Sequence, residues 1–403
     1  MKGLYIHIPF CVRKCSYCDF YSLPNRQSSI AHYVRAVLRE AGSFPLSQRG
    51  IKGDLQPLKN FSLQTLYLGG GTPSLLGPQN LQTLISGLML VPSPSRGEGQ
   101  DEGVPQNGEG LKGVGLDLAE STLEVNPESA TPEFLQTAKN LGFNRLSFGV
   151  QSLSDAELQS VGRIHTAAQA VAAIKLAQKT GFQNISADLI IGLPAQTWHS
   201  LHSSLEALTG LGLPHLSVYC LSLENGTQLA LNPPNDLPSD DFQAELYEKT
   251  RTFLINAGFV HYEISNYARP GCECLHNLNY WRGGEYLGLG PAAASHLDGK
   301  RFKNNNDLDA YLQNPTGQVE YVETLSPKEK AAEEAMLRLR LLEEGLNTDE
   351  LTAKFGPANT SDIILRLEKM KREGLWLQTG VTYRLEPAHI LTSNSIFSRV
   401  ISG

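Results

Sequence analysis

The stretch from Leu4 to Tyr21, LYIHIPFCVRKCSYCDFY, decides how the rest of the chain is read. Leu4-Tyr5-Ile6-His7-Ile8 alternates and is rich in β-formers, which predicts a strand. Pro9 ends it, because proline donates no ladder hydrogen bond. Cys11, Cys15 and Cys18 follow with the spacing C-x3-C-x2-C. They are therefore expected close together, on a loop at the C-terminal end of a strand.

Clustered thiolates select zinc, copper(I) or an iron–sulfur cluster. A structural zinc site takes four protein ligands, and this loop supplies three. Cys272 and Cys274 are the residues that could complete one. A [4Fe–4S] cubane usually takes four cysteines; with three, one iron keeps an open position for a substrate or cofactor. A disulfide is a poor reading, since three is odd and nothing points to export.

Further along, Ile30, Tyr33, Val34, Val37, Leu38 and Ala41 recur at helical spacing. This predicts a helix from Ser28 to Gly42, capped by Ser28 or Ser29. Gln64 to Leu68 reads as the next strand and runs into Gly69-Gly70-Gly71-Thr72-Pro73. More strands are expected at Glu120 to Val125, Arg145 to Val150, Asn184 to Ile191, His215 to Leu221 and Phe259 to Ile264. Amphipathic helices separate them. Residues 43–60 are loop-like, and residues 92–115 are low in complexity with almost nothing to bury, so a flexible surface insertion is expected there. Strand and helix alternate, which argues for an α/β fold with a parallel sheet and helices outside. From Ser326 the order becomes helix, helix, helix and a hairpin around Thr379-Gly380, like a winged-helix module. The domain reading is thus residues 1–265 for the sheet, 266–325 for a connecting segment and 326–403 for a mainly helical C-terminal domain.

The chain has 403 residues and a formal net charge of −7. That balance weighs against nucleic acid as a partner, which calls for a basic footprint. It also assigns the winged-helix-like part a docking or lid role. No run approaches the ~18 apolar residues of a membrane helix. The N-terminus enters a strand directly, with no signal peptide visible. Reduced thiols on a loop suit a reducing cytosol, so a cytoplasmic location is expected.

C-x3-C-x2-C with Tyr17 before the last cysteine resembles the radical S-adenosylmethionine (SAM) superfamily. The flanking Tyr5-Ile6-His7-Ile8-Pro9-Phe10 is similar to the oxygen-independent coproporphyrinogen oxidase family and, within it, to the heme-chaperone branch. The resemblance implies a six-stranded partial (β/α) barrel, a [4Fe–4S] cluster on Cys11, Cys15 and Cys18, and SAM on its open iron. Gly70, Gly71 and Thr72 would grip the amino-acid end of SAM. Tyr5, Tyr17, Glu124, Gln151, Arg163 and Asp188 match further SAM-contacting positions; a carboxylate such as Glu124 suits ribose hydroxyls. The implied chemistry is reductive cleavage of SAM to a 5′-deoxyadenosyl radical. No side-chain general base is demanded, so no catalytic residue is assigned.

Tyr262 to Tyr267 and His276-Asn277-Leu278-Asn279-Tyr280-Trp281, with Gly283-Gly284, Gly288, Gly290-Pro291 and Ser295-His296, also resemble the heme chaperones. His276 is the heme-ligand candidate, since imidazole binds heme iron and flat aromatics suit a porphyrin face. His7 reads as a strand histidine beneath the cluster. In the oxidase pattern a fourth cysteine stands where this chain has Phe20, and a long N-terminal arm precedes the first strand. Both departures favour a chaperone that hands heme to respiratory apoproteins over an oxidative decarboxylase of coproporphyrinogen. The resemblance further implies an electron donor such as a flavodoxin or ferredoxin, a homodimer, and peripheral membrane contact through the acceptors.

Overall fold

A computed structural model describes residues 2–43, 63–90 and 116–401. Most of the expected loop at 43–60 and all of the insertion at 92–115 lie outside the described residues. Twelve strands form one sheet. They are β1 (Lys2–Ile8), β2 (Thr65–Gly70), β3 (Glu120–Val125), β4 (Arg145–Gln151), β5 (Asn184–Ile191), β6 (His215–Cys220), β7 (Val260–Glu263), β8 (Asn266–Ala268), β9 (Glu285–Leu289), β10 (Ala294–Leu297), β11 (Lys300–Asn304) and β12 (Val319–Thr324). Their order is β12-β11-β10-β9-β1-β2-β3-β4-β5-β6-β8-β7.

Strands β1 to β6 run parallel in sequence order, and β9 joins the other side of β1 in parallel. The parallel strands read as apolar runs because both faces are covered. Leu123, Leu146, Phe148, Ala187, Leu189 and Leu216 are fully buried. Helices α1 (Ile30–Gly42), α2 (Gly77–Leu90), α3 (Pro132–Asn140), α4 (Ala167–Lys179) and α5 (Trp198–Gly210) return the chain between strands, and α6 (Asp240–Asn256) follows β6. Thr131, Thr166 and Thr197 each accept a backbone N–H at a helix start, the capping expected of threonine there. The fold class expected from the alternation is the one found.

Some boundaries differ, for local reasons. Ser29 does not cap α1 with its side chain, because a 3-10 turn, Gln27–Ser29, already leads the backbone into the helix. The strand expected at Phe259 to Ile264 is β7, antiparallel to β8 and not parallel to β6; a tight reversal at Ile264-Ser265 folds it back. Residues 266–325 supply β8 to β12, strands of three to six residues, too short to show a long run of alternation.

A short helix α7 (Leu275–Trp281) follows β8. Helices α8 (Pro327–Arg338), α9 (Thr348–Phe355) and α10 (Pro357–Arg372) precede a hairpin of Trp376–Thr379 and Thr382–Leu385, to which Leu346–Asn347 adds a third strand. A further helix, α11 (Ser393–Ile401), packs Phe397 on Trp376. Among the described residues no helix is long and apolar enough to cross a membrane.

One polar residue sits on the apolar face of α1. Glu40 is fully buried and accepts from the Gly290 N–H (2.9 Å), Asn304 Nδ2 (2.8 Å) and the Tyr311 hydroxyl (2.5 Å). It ties α1 to the antiparallel extension of the sheet. A buried carboxylate is tolerable only when bonded this way. Glu40→Ala removes the acceptor that these three buried donors share and is expected to cost about 3 kcal/mol, read as a lowered urea midpoint; an unchanged midpoint would show that Glu40 does not hold the extension.

Candidate functional site

The cysteine loop is pinched at its base. Phe10–Cys11 pairs with Leu23–Pro24, and the Leu23 N–H donates to the Pro9 carbonyl at 2.7 Å. Within the loop the Cys18 N–H reaches the Cys15 carbonyl (3.2 Å), and the Ser16 N–H reaches the Val161 carbonyl (3.1 Å). The glycine turn docks directly on the loop's lead-in: Gly71 N–H to Ile8 C=O is 2.8 Å and Thr72 N–H to Phe10 C=O is 2.7 Å. A Cβ at position 71 would stand 2.5 Å from the Phe10 carbonyl oxygen, and Gly70 has φ +112° with the His7 ring below it. Glycine is therefore required here for close backbone approach.

Cys11, Cys15, Tyr17, Cys18, Gly70, Gly71, Thr72, Glu124, Gln151, Arg163 and Asp188 line one cavity of about 420 Å³. It opens at the C-terminal ends of β1 to β6, where the ligand site of a parallel α/β sheet belongs. Thr72 Oγ1 lies 3.5 Å from Cys11 Sγ, and Arg163 Nη1 lies 3.6 Å from Cys15 Sγ. Arg163 Nη2 donates to the Gly149 carbonyl (2.6 Å) and to Asn126 Oδ1 (3.0 Å). Its Nε is buried with no hydrogen-bond partner among the described residues, a donor suited to an anionic ligand group. Asn126 also donates to Thr72 Oγ1 at 2.9 Å. Gln151 has φ +67°, a left-handed conformation rare outside glycine and found at functional positions.

Two half-buried carboxyls face this cavity. Glu124 accepts from the Tyr67 hydroxyl (2.8 Å) and the Gly70 N–H (3.0 Å). Burial is the larger influence and pushes it up to about 7. Asp188 accepts from Ser147 Oγ at 3.2 Å and is likewise raised by burial. Burial also pushes the Cys18 thiol up to about 11, which metal ligation would reverse.

Cys272 and Cys274 do not complete a zinc site. Cys274 Sγ lies 3.4 Å from Glu120 Oε1, and Cys272 packs beside Tyr262 and Leu278. Neither lines the cysteine cavity, and among the described residues no three His, Cys, Asp or Glu side chains gather as a single-ion site. A cubane spreads its thiolates over separate irons, and the three-sulfur donor set fits that group.

Tyr5 departs from the expectation. It shares a face of β1 with His7, two residues on, and both line a second, larger cavity of about 960 Å³. Tyr280, Trp281, Tyr286 and His296 add flat rings; Arg301, Lys303 and Lys330 add cations. Lys14, Asp19 and Phe20 line both cavities. The basic residues were missed in the sequence, although the alternation of Arg301 and Lys303 on one strand was a readable signal.

His276 lines neither cavity. It is 1% exposed, with Nδ1 2.9 Å from Thr65 Oγ1 and Nε2 2.8 Å from the Tyr280 hydroxyl. Burial lowers it to about 3. The start of its helix is held by buried Glu120, which accepts from the Leu275 N–H (2.9 Å) and the His276 N–H (3.0 Å), with Arg145 at 4.0 Å. His7 is the strand histidine expected, its ring between Tyr5 and Tyr21.

The Radical SAM superfamily profile matches residues 5–208. Several curated proteins named heme chaperone HemW are similar to the chain. That of Lactococcus lactis is 34% identical over 358 residues, covering 88% of this chain and 85% of that one. That of Bacillus subtilis is 33% identical over 403 residues, covering 98% of each. That of Synechocystis is 38% identical, covering 84% and 77%. Among solved structures, coproporphyrinogen III oxidase (HemN) from Escherichia coli superposes with a TM-score of 0.79 at 21% identity, over 100% of this chain and 90% of that one; this likeness bears on the fold.

The raised Glu124 carboxyl has a consequence for stability. The folded state favours its neutral form, so the contribution is fully present below the ordinary pKa of 4.5 and is lost as pH rises through about 7. Between these limits wild type should lose roughly 1–3 kcal/mol that Glu124→Gln does not lose. Denaturant unfolding at several pH values checks this; parallel curves for the two proteins would refute it.

Proposed function

The chain belongs to the radical SAM superfamily and, within it, to the HemW heme-chaperone family, and from that premise we propose that it binds heme beside a SAM-bearing cluster and passes the heme to acceptor apoproteins. Cys11, Cys15 and Cys18 are the cluster ligands. The Gly70-Gly71-Thr72 turn, Tyr17, Glu124, Gln151, Arg163 and Asp188 hold SAM, the buried Arg163 Nε answering its carboxylate. Cluster and SAM together supply one-electron reductive chemistry when bound. This chain's own residues position the ligand and exclude water, with Glu124 and Asp188 placed for hydroxyl groups.

The observation that carries the reading is the shared wall. The larger cavity falls within the size range of small-molecule sites, with aromatic faces for a porphyrin and cations for its carboxylates. Its wall toward the cluster cavity is the cysteine loop itself, through Lys14, Asp19 and Phe20. Phe20 is 62% exposed, a large apolar surface that a flat ligand would cover. It stands where the oxidase pattern has its fourth cysteine, which favours cargo handling over decarboxylation. Respiratory hemoproteins are the acceptors in this reading, and a flavodoxin or ferredoxin the electron donor.

Anaerobic purification with iron, sulfide and heme quantified together tests the proposal. Wild type should carry roughly four irons per chain and bind one equivalent of heme. Cys11→Ser, Cys15→Ser or Cys18→Ser should abolish the brown chromophore; retained iron would refute the ligand assignment. Turnover of coproporphyrinogen with SAM and a reductant would instead establish the oxidative decarboxylase.

A further inference from the structure

Three histidines stand in or directly behind the larger cavity, and their ring nitrogens are not equivalent. His7 Nε2 lies 2.7 Å from the Tyr21 carbonyl, so it must be the donor; Nδ1 then accepts from the Tyr5 hydroxyl at 2.9 Å. His276 has a hydroxyl on each nitrogen and sits behind the wall. His296 differs. Its Nδ1 lies 3.2 Å from the Gly284 carbonyl oxygen, which can only accept. In the neutral ring the proton is therefore on Nδ1, and the lone pair falls on Nε2, which has no hydrogen bond to any described residue.

A backbone carbonyl on one ring nitrogen, fixing the tautomer and freeing the other, is the arrangement that orients metal-ligating histidines. We propose that His296, through Nε2, is the protein ligand to the iron of a heme seated in the larger cavity. The assignment rests on the heme-binding reading above and replaces the expectation for His276.

The strand register supports it. His296 on β10 stands opposite Tyr286 on β9 and Arg301 on β11, and Ala294 stands opposite Lys303. Side chains two apart on a strand share a face. An iron ligand, an aromatic ring and two cations thus present to one side of the sheet. Tyr286, whose ring centroid is 6.2 Å from that of His296, would offer a flat face to a porphyrin held there. Arg301 and Lys303 would offer cations to its carboxylates; in this structure Arg301 pairs with Glu323 and with Glu333 of the cavity lining, and Lys303 pairs with Glu320. The phenols compete poorly for iron: burial raises both Tyr280 and Tyr286 and keeps them protonated.

Hemin titration of the full chain, purified anaerobically with its iron quantified, tests the proposal by Soret absorption and electron paramagnetic resonance. His296→Ala should lose the histidine-ligated spectrum and weaken hemin binding on the order of tenfold or more. His296→Gly should regain the wild-type spectrum when imidazole is added, which a merely structural residue would not do. His276→Ala should keep the wild-type spectrum. A histidine-ligated spectrum and unchanged affinity in His296→Ala, or no imidazole rescue of His296→Gly, overturns the assignment while the heme reading stands. A wild-type chain that binds no hemin overturns both.

Discussion

Two backbone hydrogen bonds carry the architecture of the site. Gly71 N–H to Ile8 C=O and Thr72 N–H to Phe10 C=O continue the parallel pairing of β1 and β2 past the ends of the strands. They join a loop made for sulfur ligation to a turn made for close backbone approach. Neither segment could hold its shape alone. The loop is short of internal hydrogen bonds, and the turn needs a φ that only glycine adopts at little cost. Because a parallel strand pair aligns its C-terminal ends, the sheet supplies this junction automatically once β1 and β2 are neighbours. Glu124 on β3 then reaches back to the Gly70 N–H, and Arg163 reaches from beyond β4 to Cys15. The cavity is a product of strand order.

That dependence explains what could be read in advance. The cysteine spacing, the glycine turn and the strand-end carboxylates are local signals, and each fell on a boundary where periodicity changed. The parallel core was legible because buried strands alternate with amphipathic helices. The extension β9 to β12 was not. Its strands are short, and its place in the sheet depends on β9 finding β1 across more than two hundred residues. The larger cavity was missed for the same reason, since Tyr5, Tyr280, His296 and Arg301 meet only after that pairing. For His276, sequence reveals residue type and not hydrogen-bond occupancy. A histidine among aromatics looks available until Thr65 and Tyr280 are seen on its nitrogens.

The buried polar groups show a division of labour. Glu40 and Glu120 are spent on architecture, each collecting donors from elements far apart in sequence. Glu124 and Asp188 have acceptor capacity turned toward a cavity. Desolvation acts strongly on both of the latter, and the protein tolerates that strain at the one face where a ligand repays it.

The two sides of the larger cavity are fastened by different forces. One jaw carries α7, riveted by the desolvated Glu120 and Arg145. The other belongs to α8 and α9, which add ion pairs to their apolar packing: Arg301 on the sheet to Glu333 of α8, and Lys354 of α9 to Glu334 of α8. Such surface pairs are individually weak and screened by salt, whereas a dry network is neither. Added salt is therefore expected to weaken the polar contacts of the C-terminal side and to leave those beneath α7 in place.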